Sequence, residues 1–304
     1  MCGLAQAVQG AGSAALSDPE PPTVQSAATR EARLPQVTIK ARRELEHRAR
    51  AFVRRLTRGD RFYGESVAMW RVPLCFMVAG LPRTQGELVL ERLAADADSA
   101  GVRLAGERCH PNLIVAWSRE PEALLTDLKR RNPRMFGDAA RAVEIGQFIR
   151  PSKPKAVRVW HNADSANRDG VPLKEFGLIC DLDPEGIGPD CPINNDIIES
   201  RLSLDRLVVF SSAIVVVDAN LARHATLEQL ADYIAMVALA DIDPDNTAGD
   251  APSILQLFAA STEAAPSGLS MWDRAFLSGL YHSDQSSRGQ RWAIEESVVH
   301  TVAR

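Results

Sequence analysis

The chain has 304 residues, 45% hydrophobic and 24% charged, enough to bury one large core or two medium ones. A net charge of −4 spread over both signs gives no basic footprint for nucleic acid, and no run of about 18 apolar residues is present to cross a membrane as a helix. Five cysteines, none in a Cys-x-x-Cys pair, argue against a zinc ribbon or a thioredoxin-like redox centre.

Residues 1–34 read as a disordered leader or the remnant of a secretion signal. Met1 to Leu16 lacks the basic and strongly apolar parts of a full signal, and Ser17 to Arg33 is rich in Pro, Glu, Ser and Thr. From about Lys40 to Arg58 the apolar residues Leu45, Ala49, Phe52, Val53 and Leu56 recur at helical spacing. The charges of that stretch mix both signs, which marks a solvated helix face. Val72 to Ala79 is an apolar strand ended by Gly80, and a helix follows from Thr84 to Ala100 with Gly101 at its end. Leu113 to Trp117 is a second strand, and Glu120 to Arg131 a helix broken by Asn132-Pro133. This β-α-β-α order predicts an N-terminal α/β unit over residues 35–145.

After Ser152 the texture changes. Ala156 to His161 is strand-like, and a long polar stretch leads to Leu207–Val217, the most β-prone run of the chain. A helix over 226–241 opens with Thr226 and Gln229 in capping-box spacing; Ser270 and Asp273 repeat that spacing before a helix to Tyr281. A short helix near Ser253 to Phe258 and a helical tail from Gly289 complete the second part, residues 146–304. The fold class expected is therefore mixed α/β (α+β).

Cys180 and Cys191 flank a Gly/Pro/Asp-rich loop that a disulfide would close, stabilising by roughly 3 kcal/mol. Cys75 lies in one strand-like run and Cys109 immediately precedes another, so neighbouring strands can bring them together. Two disulfides would imply an oxidising compartment, hence an exported, periplasmic or envelope protein; the alternative is four buried free thiols in a cytosolic core.

The standard catalytic signatures are missing. There is no Gly-x-Ser-x-Gly elbow, no Gly-x-x-x-x-Gly-Lys phosphate loop and no Gly-x-Gly-x-x-Gly. Asp241-Ile-Asp-Pro-Asp-Asn imitates half a calcium loop but has Asn246 where Gly belongs and Pro252 at the twelfth position. The five tryptophans stand singly in apolar contexts and read as core or rim residues.

Leu230-Ala-Asp-Tyr-Ile-Ala-Met-Val-Ala-Leu-Ala240, Pro252-Ser-Ile-Leu255 and Leu269-Ser-Met-Trp-Asp…Leu-Tyr281 together resemble the zincin-like metallopeptidases. Residues 35–302, with Arg71-Val-Pro-Leu-Cys75 and Cys109-His-Pro-Asn112, resemble an uncharacterised family of exported bacterial proteins on that plan. The resemblance implies a zincin-like domain over 146–304. It sets Ala231 and Ala235 where active relatives have their two His ligands, Asp232 at the general base and Asp241 near the third ligand. Alanine donates no electron pair to a metal. Asp232 and Asp241 are nine residues apart, about 13 Å of helical rise, too far to chelate one ion together. The expectation is a degenerate site holding no metal or cofactor.

The expected function is accordingly non-catalytic: a peptide-binding or protein-interaction module of the envelope. The resemblance assigns the peptide to the strand before the helix, an edge made of Ser211, Ser212, Ala213, Ile214, Val215, Val216 and Val217. The alternative is a metal-dependent hydrolase with an unconventional site, with Asp232 and Asp241 among its polar groups and ligands from His224 or His282; His161 is a further remote residue with which His224 could pair.

Overall fold

A computed structural model describes residues 34–57, 67–137, 141–166, 207–242, 249, 251–259, 266–283 and 287–303. The chain divides into two units, Met1–Ala41 and Arg42–Arg304. Of the first, only residues 34–41 are described, the opening turns of helix α1 (Leu34–Leu56). The second holds the sheet and all the other helices.

It is a mixed α/β structure: strands β1 (Met69–Trp70), β2 (Phe76–Ala79), β3 (Leu113–Ser118), β4 (Val157–Ala166) and β5 (Leu207–Asp218) form one sheet. Around it lie α2 (Arg83–Ala100), α3 (Pro121–Arg131), α4 (Ala142–Ile149), α5 (Leu227–Leu239), α6 (Met271–His282) and α7 (Ser287–Val302). β5 is the centre. It pairs in parallel with β3 from Leu113↔Ala213 to Ser118↔Asp218 and antiparallel with β4 along its whole length. Two residues of β1 join it near its start, and β2 extends the sheet beyond β3.

Two expectations are corrected by this register. The boundary at 145/146 runs through a continuous sheet, because β3 from the first part is hydrogen-bonded to β5 from the second. The run 211–217 is also no edge. Asp218 N–H donates to the Ala156 carbonyl at 2.8 Å, which phases the ladder so that Ser212, Ile214 and Val216 turn their backbone groups to β4. Ala213, Val215 and Val217 turn theirs to β3; Ala213 N–H reaches the Asn112 carbonyl at 2.8 Å. From Ser212 to Val217 each residue's backbone is thus turned to one neighbouring strand or the other, which leaves no row of free groups for a peptide.

The side chains of β5 explain its apolar run. Ala213, Val215 and Val217 enter a large core with α2, α5 and α6, while Ile214 and Val216 enter a second core with Leu125, Phe136, Phe148 and Trp160. A strand covered on both faces has no polar alternation to show. On the larger core α1 packs Ala49, Phe52, Val53 and Leu56, the face expected from periodicity. Phe52 meets Trp272 and Phe276 edge-on, centroids 5.6 and 6.1 Å apart.

The caps form as their spacing predicts. Thr226 accepts from Gln229 N–H and Ser270 from Asp273 N–H, each a complete capping box. Gly101 ends α2 at φ 90°, a conformation open to glycine, with its N–H on the last-turn carbonyls of Ala97 and Asp98. Two elements went unexpected: β1, too short for a pattern, and α4.

Candidate functional site

α5 carries Ala231, Asp232 and Ala235, the positions the resemblance compares with a metal site. Its position follows from its composition: from Leu230 to Leu239 every residue is buried, since the helix is apolar all round and lies between the sheet and α2. Ala231 and Ala235 are 0% and 1% exposed and belong to the main core. They face packed side chains, with no coordinating atom of their own.

Asp232, which the resemblance set at a general-base position, is held by structural contacts. Arg92 of α2 grips it side-on, Nε to Oδ1 at 2.5 Å and Nη2 to Oδ2 at 2.8 Å. Leu269 N–H donates to Oδ2 at 2.6 Å, and Gly268 passes so close that a Cβ there would lie 2.4 Å from the same oxygen. Burial by itself would raise the pKa of Asp232, but the Arg92 guanidinium and the Leu269 N–H outweigh it and hold the carboxyl below its ordinary value. A carboxylate so bound, and 0% exposed, is a poor proton acceptor for a substrate.

Beside it lies Asp96, which the sequence reading did not single out. It is 3% exposed, and its Oδ1 is 3.8 Å from Arg274 Nη1 of α6. Desolvation and the charge of Asp232 push its pKa up to about 7. The signal was available only as an acidic residue on the inward face of α2, next to Ala97.

The C-terminal end of α5 is held by polar side chains from three other elements. Trp70 Nε1 donates to the Ala238 carbonyl at 2.8 Å, and His161 Nε2 lies 3.2 Å from the same oxygen. Tyr281 donates to the Leu239 carbonyl and accepts from Trp70 N–H at 3.3 Å. These satisfy acceptors that a helix end leaves unpaired. His161 stacks on Phe210 at 4.2 Å, and burial lowers its pKa to about 4, so the ring stays neutral.

The other sought residues are apart from this. His224 is exposed before the α5 cap; His282 turns Nδ1 to the Ser278 carbonyl at 2.9 Å and rests against Gly101. Asp241 follows the end of α5, half-buried. Asp273 binds the preceding segment instead, accepting from Ser253 Oγ at 2.6 Å and Ile254 N–H at 2.8 Å. Among the described residues no three His, Cys, Asp or Glu side chains converge to hold a metal ion.

Cys75 and Cys109 are joined by a disulfide, as their strand-like settings suggested. Cys180, Cys191 and most of the calcium-like loop lie outside the described residues. Among the described residues no helix is long and apolar enough to cross a membrane. Comparison with known proteins returns nothing: no family model matches the chain, and no curated protein or solved structure is similar to it.

Proposed function

We propose that this chain is a non-catalytic, exported interaction module, zincin-like in plan, that binds an extended peptide of an envelope partner. One observation carries the non-catalytic part: the carboxylate at the general-base position is consumed by Arg92 and Leu269 N–H between two buried alanines. Such an arrangement stabilises a core. Export is supported by the Cys75–Cys109 bond, a linkage uncommon in reducing compartments.

The peptide reading moves from β5 to β4. The phase of the β4–β5 ladder turns the N–H and C=O groups of Val157 and Val159 away from β5, and among the described residues no strand lies along that side. The His161 carbonyl on the same side accepts from Arg141 Nη1 at 3.0 Å, closing the row. An extended chain added there continues the sheet by main-chain hydrogen bonds.

The test combines metal analysis with hydrogen exchange. The purified chain is expected to contain no stoichiometric zinc and to cleave no peptide. Peptides captured from envelope extracts are expected to slow amide exchange at Val157 and Val159. Zinc at one per chain, lost on chelation together with peptidase activity, overturns the non-catalytic reading. Captured peptides that leave the amides of Val157 and Val159 unprotected overturn the β4 reading.

A further inference from the structure

Arg71 directly follows β1, and its guanidinium is left in an unusual state. Nε and Nη2 are both buried, and neither has a hydrogen-bond acceptor. Buried polar groups are ordinarily paired, and an unpaired buried cation is costly. Arg158 and Arg291 each leave only a buried Nε in that condition, and Arg158 uses Nη1 on the Ile149 carbonyl at 2.7 Å. Arg71 is distinct because its two orphans form one fork. Nε–H and Nη2–H point along the same side of the guanidinium, the geometry that grips two oxygens of a single oxyanion. Arg92 applies that grip to Asp232 within the same protein.

A second cation stands beside it. Arg103 Nη2 donates to the Arg71 carbonyl at 2.9 Å, bringing another guanidinium to the place. Burial and the Arg103 charge both lower the pKa of Arg71. The two arginines are positioned by rigid backbone. Leu74 N–H donates to the Arg103 carbonyl and Ala105 N–H to the Leu74 carbonyl, each at 2.8 Å, and the next residue is tied by the Cys75–Cys109 bond.

We propose that Arg71 and Arg103 form an oxyanion site, in which a carboxylate or phosphate group binds side-on to Nε and Nη2 of Arg71 and Arg103 supplies the second positive charge. Arg71 as a residue is partly exposed, while its Nε and Nη2 are themselves buried. The site is independent of the non-catalytic reading, since Asp232 sits in the first half of α5 and Tyr281 contacts Leu239 at the other end.

The experiment titrates acetate and, separately, inorganic phosphate into the full chain while following the Arg71 Nε–H resonance by NMR. A saturable shift in the millimolar range is expected, with acetate or phosphate acting alone identifying which oxyanion the site prefers. Calorimetric titration is expected to show binding at least about tenfold weaker in Arg71→Lys, which keeps charge but loses the fork. Arg103→Gln, at an exposed position, should weaken binding less. An Arg71 resonance indifferent to both anions overturns the proposal, as does unchanged affinity in Arg71→Lys. If that variant does not fold, the wild-type resonance decides.

Discussion

Asp96 of α2 and Asp232 of α5 set two buried carboxylates against one another beside a single bidentate arginine. Arg92 and Leu269 N–H serve Asp232, leaving Asp96 with a distant Arg274 and a like charge for a neighbour. The pair therefore divides its roles, Asp232 ionised and Asp96 holding its proton at acid pH.

That division makes stability depend on pH in a definite direction. The groups facing the pair are Arg92 on its own helix, Arg274 on α6, and Glu228 near Asp232 on α5. Asp96 has a folded pKa of about 7 against an unfolded 3.8, so the native chain keeps a proton that the unfolded chain releases. Its contribution is complete below about pH 4 and is lost as pH rises towards about 7. Asp232 acts oppositely, its contribution present above 3.8 and lost on acidification. Urea midpoints should fall between mildly acid and neutral pH, and Asp96→Asn should flatten that fall. A wild-type slope that survives in Asp96→Asn sinks the assignment.

Arg92 is needed because Asp232 is 0% exposed. Arg92→Leu should cost about 2–3 kcal/mol, under the usual range for breaking a buried pair because the Arg92 side chain is 38% exposed. Removing both partners, as Arg92→Leu with Asp232→Leu, should recover most of the loss. A double-mutant cycle in urea measures the coupling, and strict additivity would contradict it.

Introducing histidines into α5 should not create a metal centre. Ala231 and Ala235 have essentially no exposed surface, so an imidazole at either meets close-packed neighbours. Each of Ala231→His and Ala235→His should destabilise by about 1–3 kcal/mol or more. Metal analysis of any double variant that folds should find no zinc; a stoichiometric ion would refute the close-packed reading.

The Cys75–Cys109 bond spans a sequence separation of 34 residues. In the loop-entropy account its removal by paired Cys→Ala changes should cost about 3–4 kcal/mol. Alkylation of the unfolded chain followed by mass measurement should label these two cysteines only after reduction.

Much of the local structure was legible in residue order. The capping boxes at Thr226 and Ser270 formed because a side chain three residues away completes each one. Cys75 and Cys109 could be paired because strand character was visible around both. β4 ran five residues beyond its expected end at His161, since the polar Asn162 to Ser165 segment carries no apolar alternation. β1 gave no periodicity at all over two residues.

The sequence by itself determined that α5 carries no imidazole at positions 231 and 235, because a side chain's donor atoms are a property of its covalent structure. It also determined the apolar character of 207–217. Whether that run lay at an edge or at the centre was decided only when β3 and β4 closed on it from distant parts of the chain. The partner of Asp232 was settled in the same way, 140 residues away on α2. Periodicity reports which face of an element avoids water; which other element covers that face is an energy of packing, and no local pattern encodes it.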